Sequence, residues 1–357
     1  MIFARKQTKI DKTVFVGVSG GVDSSVSAKR LIDTGYKVVG AFMKTWYPDW
    51  LDCDWKAERR DAMRVCARLE IPFVEYDLGE RYFDDVGMYL VNEYKSGRTP
   101  NPDVMCNRHV KFDAFWQSAK ADGADLIATG HYARKGQPDE IIMGVDQNKD
   151  QTYFLWGIDP SVVPNVLFPV GDSEKNIIRQ EADRAGLITA NKPDSQGICF
   201  LGQVDLAEFL SHYLDLEPGL VKDTSGQTIG RHDSAYIYTV GQRQGFTLDN
   251  KETDSDPRFV IEKNVLTNEI IVGTKDELES FTARESVKLI QTNKFDEFSE
   301  GQSVLVRYRY RQDLIKAKIT DIKDLTIEFD DMQHSVAPGQ SLVIYQGQKM
   351  LGGGIIA

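Results

Sequence analysis

The chain has 357 residues, of which 41% are hydrophobic and 27% charged, and its formal net charge is −11. This length predicts two or three domains, and the composition is that of a soluble globular protein. The sequence contains no apolar run long enough to cross a membrane, and MIFARKQTKIDK lacks the apolar core of a signal peptide. The acidic balance argues against nucleic acid as a partner, but basic islands at 95–111 and 305–318 leave RNA binding open.

The first predicted element is a buried strand, VFVGV at 14–18, which runs directly into SGGVDSS. The unbroken apolar run predicts a parallel strand covered on both faces, and the spacing after it predicts a helix. Glycines at such a turn let backbone N–H groups approach an anion, and the helix N-terminus adds partial positive charge. The turn has neither the Gly-Lys-Ser/Thr of a Walker loop nor G-x-G-x-x-G. Its S-G-G-V-D-S resembles the PP-loop of ATP pyrophosphatases, which cleave ATP between the α- and β-phosphates.

Strand and helix patterns then alternate up to about residue 203. Further strands are predicted at 38–43, 73–76 and 126–129, with an amphipathic helix around 62–69. This rhythm predicts an α/β fold with a doubly wound parallel sheet, of the adenine nucleotide alpha hydrolase-like class that the PP-loop resemblance implies. Ligands of such sheets bind beyond the carboxyl ends of the strands, which places Met43 and Gly130 near a nucleotide.

Two segments interrupt this rhythm, and each contains a cysteine. Residues 96–107, with two prolines and a glycine, and residues 191–202 are predicted to be irregular loops. Loop cysteines such as Cys106 and Cys199 can be partly exposed and therefore reactive.

The remaining cysteines are expected to be structural. Cys66 lies on the apolar face of the predicted helix, and Cys53 lies near a helix start. Arg108 and His109 could favour the thiolate of Cys106. Four cysteines without a signal peptide or a CxxC pattern indicate a reducing compartment, and we expect a cytoplasmic protein.

After residue 203 the pattern changes to a short helix and glycine-rich short strands, and after 279 only short alternating runs remain. Strands at this spacing predict a small antiparallel barrel. We therefore divide the chain into a PP-loop ATP-binding catalytic domain at 1–203, a small mixed central domain at 204–279 and a C-terminal β-barrel domain at 280–357.

Motifs in all three parts together resemble the tRNA-specific 2-thiouridylase family. They are TPNPDVMCN, TGHYAR, KDQTYFLW, PDSQGICFLG, YTVGQR and APGQSLVIY. One departure is His232-Asp233-Ser234, where the family commonly has His-x-Gly before a YTIGQR-like segment. The resemblance implies a tRNA-uridine 2-sulfurtransferase that uses ATP and Mg²⁺ to adenylate and then thiolate the C2 position of the wobble uridine. The implied partners are the tRNAs for lysine, glutamate and glutamine, and a persulfide-donating relay protein or cysteine desulfurase.

The resemblance also implies roles for three sets of residues. The nucleotide set is Gly17, Val18, Ser19, Gly20, Gly21, Val22, Asp23, Ser24, Met43 and Gly130. The catalytic set is Cys106 as nucleophile, Cys199 as persulfide carrier, and Asp103. The set that contacts the target base or the tRNA is Asn101, Pro102, Asp103, His131, Lys149, Asp150, Gln151, Arg309, Tyr310 and Gln340. No residue is assigned to a metal.

Several alternatives stay open on the sequence. Sulfur carried by Cys199 could attack C2 directly, after which Cys106 closes a disulfide, or Cys106 could first release sulfide. Asp103 is either a general acid or base or a turn residue after a proline. The rival activity is a PP-loop amide-forming synthetase with a nitrogen nucleophile, which would need neither cysteine. A non-catalytic RNA-binding protein and a thiol-redox protein are further alternatives.

Overall fold

The computed structural model describes residues 10–48, 50, 55–137, 139–193, 205–249 and 256–357. The elements up to residue 193 are β1 Thr13–Gly17, α1 Val22–Thr34, β2 Lys37–Lys44, α2 Trp55–Arg68, β3 Phe73–Asp77, α3 Gly79–Tyr82, α4 Met88–Lys95, α5 Pro102–Met105, α6 Phe115–Ala121, β4 Leu126–Ala128, β5 Ala133–Lys135, β6 Ile141–Met143, β7 Val166–Leu167 and α7 Lys175–Arg184. The later elements are α8 Leu206–Ser211, β8 Gly219–Lys222, β9 Thr228–His232, β10 Phe246–Leu248, β11 Phe259–Asn264, β12 Glu269–Gly273, α9 Lys275–Phe281, β13 Arg284–Lys294, β14 Ser303–Arg307, β15 Ile315–Asp321, β16 Thr326–Gln333, β17 Ser341–Gln346 and β18 Lys349–Ile356. No helix in these ranges combines the length and the apolarity needed to cross a bilayer.

The first sheet is parallel and has the strand order β3-β2-β1-β4-β7, which confirms the predicted α/β fold. β1 lies between β2 and β4 and is buried on both faces, as its unbroken apolar sequence requires. Cys66 packs against Gly40, where an added Cβ would lie 2.2 Å from the Cys66 sulfur. The expected core position of Cys66 is therefore confirmed.

The segment at 96–107, predicted to be an irregular loop, is only partly irregular. α5 begins at Pro102 and continues through a π-helical stretch, Cys106–Ala114, into α6. Proline is tolerated in the first helical turn because its missing N–H would have no partner there. The prediction that Cys106 lies in a loop and is partly exposed is therefore wrong: it is helical and fully buried.

The second sheet is mixed and has the order β10-β9-β8-β12-β11, in which only the β8–β12 pair is parallel. The third is antiparallel, with β13-β16-β15-β14-β17-β18 closed by the β13–β18 pairing, which confirms the predicted barrel. The domain limits at 203 and 279 stay predictions. Within the basic island at 305–318, β14 ends at Arg307, and the following residues form a turn with Arg311 at φ 63°.

Two features join the barrel to the α/β domain. β18 pairs with β6, so the β5–β6 hairpin of the first domain extends the barrel sheet. Beside it, Arg307 Nη1 lies 2.9 Å from Asp150 Oδ2, with side-chain exposures of 6% and 0%. The Asp150 carboxylate also accepts hydrogen bonds from the Gly144 N–H and from the Thr152 N–H and hydroxyl, and the Thr152 hydroxyl lies 3.1 Å from the Tyr345 hydroxyl. The carboxylate is thus buried with its acceptors occupied.

This ion pair predicts a large stability effect. Arg307→Met leaves the Asp150 carboxylate buried without its cation, and we expect the free energy of unfolding to fall by about 3–5 kcal/mol. Urea denaturation followed by tryptophan fluorescence measures the change.

The control is Lys318→Met on the exposed side of β15, which should change the free energy by less than about 0.5 kcal/mol. Asp150→Asn combined with Arg307→Met removes both charges and should recover part of the loss. A loss in Arg307→Met no larger than that in the control would contradict a structural role for the pair.

Candidate active site

The turn after β1 is organised by serine hydroxyls. The Ser19 N–H donates to Ser24 Oγ over 3.2 Å, and Ser24 Oγ donates in turn to the Gly21 carbonyl over 3.2 Å. Gly20 has φ 73°, and a Cβ there would lie 2.6 Å from the Glu58 carbonyl oxygen. Gly21 is the N-cap of α1 and provides no side-chain cap. The turn therefore presents the N-terminus of α1 as an anion site.

The segment after β4 closes onto this turn. A Cβ on Gly130 would lie 2.8 Å from the Ser24 backbone nitrogen, so only glycine allows this approach. A Cβ on Gly17 would lie 2.8 Å from the Met43 methyl group, which places the ends of β1 and β2 side by side. The sheet thus brings Met43 and Gly130 to the same edge as the turn, and their contacts with a nucleotide stay predictions.

The turn contains no basic side chain, and a lysine from a helix distant in the chain lies beside it. Lys175, the first residue of α7, places Nζ 2.7 Å from both carboxylate oxygens of Asp23. The Tyr132 hydroxyl donates to the same carboxylate over 2.8 Å. The sequence analysis missed Lys175, because nothing near it in the chain indicates that α7 packs beside α1.

Asp103 and Cys106 lie on the helix that follows the 96–101 segment. Cys106 is three residues after Asp103, so both lie close together on one side of α5. Burial raises the pKa of the Asp103 carboxyl, and the charge of Lys111 opposes the rise.

The π-helical stretch brings Lys111 to this side of the helix. The Phe115 N–H donates to the Val110 carbonyl, five residues earlier, and residues five apart share a face of a π-helix but not of an α-helix. Lys111 follows Cys106 by five. Burial, and secondly the charge of Lys111, lower the pKa of His131 well below its ordinary value. Lys111 is thus within electrostatic reach of both Asp103 and His131, although sequence reasoning gave it no role.

His131 connects this helix to the nucleotide turn. Its Nδ1 lies 2.8 Å from the Thr129 hydroxyl, and its ring lies 5.5 Å from the Phe112 ring. Gly130, which touches Ser24, is the preceding residue. The segment 129–131 therefore spans from the anion site to the helix at 102–121, which carries Asp103 and Cys106 and which we call the cysteine helix.

The two residues expected to favour the Cys106 thiolate have other neighbours. His109 Nδ1 lies 3.9 Å from Asp85, and burial lowers its pKa. The Arg108 side chain packs beside Gly157. The effect of Arg108 and His109 on the Cys106 thiolate stays a prediction, and Lys111 is a further cation, whose charge acts on Asp103.

Residues before α5 are held by the barrel. Gln340 Nε2 donates to the Thr99 carbonyl over 2.8 Å and lies 3.4 Å from the Pro100 carbonyl. The Asn101 side chain hydrogen-bonds to the Tyr153 hydroxyl, which also donates to barrel carbonyls. Pro102 is buried in the first turn of α5. Gln340 and Asn101 therefore position the segment that leads to Asp103.

The segment 149–151 lies at the same junction. Gln151 Oε1 accepts from the Tyr132 N–H over 2.9 Å, next to His131. Lys149 is half-buried, and the Asp150 carboxylate faces inward to Arg307. The side chain of Asp150 is therefore structural, and tRNA contact by this segment stays a prediction.

Arg309 and Tyr310 lie in the turn after β14. The Arg309 guanidinium is exposed and donates to the Ser335 carbonyl over 2.7 Å. The Tyr310 ring lies 4.7 Å from the Phe154 ring. The turn is thus packed on the α/β domain with a guanidinium at the surface.

Cys199 and Cys53 lie outside the residues that the structure describes. Cys66 is a free thiol, and the implied pairing of Cys106 with Cys199 stays a prediction. Within the described ranges, no group of three or more His, Cys, Asp or Glu side chains is arranged to hold a metal ion.

Three family models match the chain in succession. They are a tRNA methyl transferase HUP domain at 12–203, a tRNA methyl transferase PRC-barrel domain at 207–274 and an aminomethyltransferase beta-barrel domain at 280–356.

Relatives match nearly the whole chain. A protein of Pseudomonas savastanoi pv. phaseolicola named tRNA-specific 2-thiouridylase MnmA is 42% identical over 97% of this chain and 94% of its own. One of the same name from Colwellia psychrerythraea is 42% identical over 99% and 96%. Among solved structures, a 4-thiouridine synthetase–RNA complex with bound ATP is 17% identical, with a TM-score of 0.36 over 56% of this chain and 50% of that one.

Substitution of Lys175 is expected to weaken nucleotide binding. Lys175→Met removes the cation beside the anion site, and a charge-assisted hydrogen bond is worth roughly 1.5–3 kcal/mol. We expect the dissociation constant for ATP to rise about tenfold or more, measured by calorimetry. Lys29→Met, which removes an exposed pair with Asp33 on α1, is the control and should bind ATP like the wild type. Equal affinities for the two variants would exclude this role.

Substitution of Lys111 is expected to change the pKa of His131. Because the folded state lowers the His131 pKa, the proton binds the unfolded chain more tightly, and protonation at acid pH disfavours folding. Lys111→Met removes one of the two causes and should raise the His131 pKa, although burial keeps it below the ordinary value. NMR titration of the imidazole, assigned with His131→Gln, measures it. Lys120→Met is the control, and no shift in Lys111→Met would refute the coupling.

Proposed function

This chain belongs to the tRNA-specific 2-thiouridylase family, and we propose that it replaces the C2 oxygen of the wobble uridine of tRNA with sulfur at the site around Cys106. The observation that carries the proposal is the segment 129–131, which touches the anion-binding turn at Gly130 and the cysteine helix at His131. A nucleotide at the turn and a base beside Cys106 would therefore be neighbours.

The nucleotide side uses the turn and its neighbours. The backbone of 17–24 would hold the phosphates of ATP at the N-terminus of α1, with Lys175 adding positive charge. When bound, ATP supplies the adenylyl group that makes the C2 oxygen a good leaving group. Mg²⁺ would reside on the phosphates and offset their charge. Met43 and Gly130 would lie near the adenosine.

The tRNA would bind at the junction of the three domains. Asn101 and Pro102 would position the target base in front of Asp103, and Gln340 fixes the segment that carries them. Segment 149–151, together with His131, Arg309 and Tyr310, would contact the surrounding RNA. The base must leave the anticodon stack to reach a buried helix, as in other base-modifying enzymes.

Sulfur arrives as a persulfide on Cys199. In the direct route, the terminal persulfide sulfur bonds to C2 and the adenylated oxygen departs with AMP. Cys106 thiolate then attacks the Cys199 sulfur, a disulfide forms, and the electron pair of the broken S–S bond stays on the sulfur bound to C2. In the alternative route, Cys106 attacks first and releases hydrosulfide, which then attacks C2. Both routes leave a disulfide that an external dithiol must reduce.

Asp103 and Lys111 set the electrostatics beside this chemistry. A carboxyl whose pKa is raised by burial is better suited to proton transfer to or from the base than an ordinary exposed carboxyl. Lys111 would offset negative charge that develops on the base and on the Cys106 thiolate.

The partners follow from the same family. The substrates would be the tRNAs for lysine, glutamate and glutamine, and the persulfide donor a relay protein or cysteine desulfurase. A reaction that consumes free thiols suits a reducing compartment, and we place it in the cytoplasm.

Nucleoside mass spectrometry after incubation of unmodified tRNA with the protein, Mg-ATP and a persulfide source tests the proposal. We expect 2-thiouridine with the wild type, and none above background with Cys106→Ala or Cys199→Ala. Cys66→Ala is the matched control, since Cys66 is a buried core thiol, and it should stay active. The absence of 2-thiouridine in the wild type would contradict the proposed function and leave the amide-forming alternative. Full 2-thiouridine formation by both cysteine variants would contradict the roles given to the two thiols.

A further inference from the structure

A cavity lies between the central sheet and the barrel, away from the cysteine helix. Its volume is about 780 Å³. One wall is the segment 239–242 of the YTVGQR motif with Phe259 and α9, and the other is Tyr308, Arg309 and the barrel segment 334–340.

The cavity adjoins the segment 99–101, which leads to the cysteine helix. The hydroxyl of Thr239, which lies in the central-domain wall, is 3.3 Å from the Thr99 hydroxyl. Gln340, in the opposite wall, donates to the Thr99 carbonyl, and the Thr99 N–H donates to Pro338. Both walls of the cavity therefore contact Thr99, two residues before Asn101.

The lining suits an unpaired nucleotide. Phe259 provides a half-buried aromatic ring, and Tyr308 lines the opposite wall with 5% of its surface exposed. The Arg309 guanidinium lies 5.9 Å from the Tyr308 ring centroid. Lys275 provides a second, exposed cation, whose Nζ lies 3.8 Å from the carboxylate of Glu279 in the same wall. His334 Nδ1 lies 2.7 Å from the Glu279 carbonyl oxygen, which accepts its hydrogen bond, and the ring provides a further polar group at the wall. Aromatic faces, cations and a few directed acceptors are what single-stranded RNA recognition uses.

We propose that this cavity binds a second, unstacked nucleotide of the RNA loop that presents the target uridine, with its base against Phe259 and Tyr308 and its phosphate near Arg309 and Lys275. The proposal rests on the proposed function, because it assigns the cavity to the same tRNA. Holding a neighbouring nucleotide outside the stack would stabilise the loop conformation in which the target base reaches Cys106. The size of the cavity lies within the range of small-ligand pockets.

Photo-cross-linking of the wild-type protein tests the placement. Synthetic tRNAs carry 5-iodouridine at one anticodon-loop position at a time, with the target uridine left unmodified, and cross-linked peptides are identified by mass spectrometry. We expect one substituted position to cross-link to Phe259 or Tyr308. Cross-links from every position that fall only outside the cavity would overturn the proposal.

Two variants test the contribution to binding. Val240→Trp fills the cavity and Phe259→Ala removes an aromatic wall; each should weaken tRNA binding about tenfold and leave the KM for ATP unchanged. Thr320→Trp on the exposed face of β15 is the control for the added bulk. Thermal unfolding checks that each variant is folded.

The outcomes separate the two proposals. If the wild type forms no 2-thiouridine, the proposed function fails. If the wild type is active while folded Val240→Trp binds tRNA as tightly as the control, the cavity proposal alone fails.

Discussion

The buried ion pair between Asp150 and Arg307 is the constraint on which the geometry of this protein depends. Two charges removed from water are costly unless hydrogen bonds satisfy them, and here the carboxylate has several donors besides the guanidinium, whereas Arg307 Nε is buried without a hydrogen-bond partner among the described residues. The pair fixes the barrel against the α/β domain. Because barrel residue Gln340 holds the Thr99 carbonyl, the entry into the cysteine helix is set by the barrel as much as by its own domain.

The cysteine helix gains its chemistry from an irregularity. A continuous α-helix would turn Lys111 away from Cys106, whereas the π-helical stretch returns it to the same side. The result is an ammonium whose charge acts on both the Asp103 carboxyl and the His131 imidazole. Such departures from regular geometry are common at functional sites, since they aim side chains that regular spacing would separate.

Local sequence was sufficient for features that arise locally. The apolar run before S-G-G-V-D-S, the amphipathic position of Cys66 and the alternating strands of the barrel all determine structure through near neighbours. Features made by distant pairing were not predictable. Lys175 reaches Asp23 across the chain, Asp150 is buried by Arg307, and nothing in the sequence indicated a π-helical stretch after Cys106. Burial of a polar side chain is decided by its partner, which a single sequence does not identify.

The pairing of β6 with β18 has a consequence for biosynthesis. The β5–β6 hairpin belongs to the first domain, but the strand that covers its edge is near residue 350. During translation this hairpin emerges long before its partner, so an open sheet edge persists on the nascent chain. The first domain is therefore completed only when the barrel folds, and a ribosome that stalls in between leaves an edge that chaperones must protect.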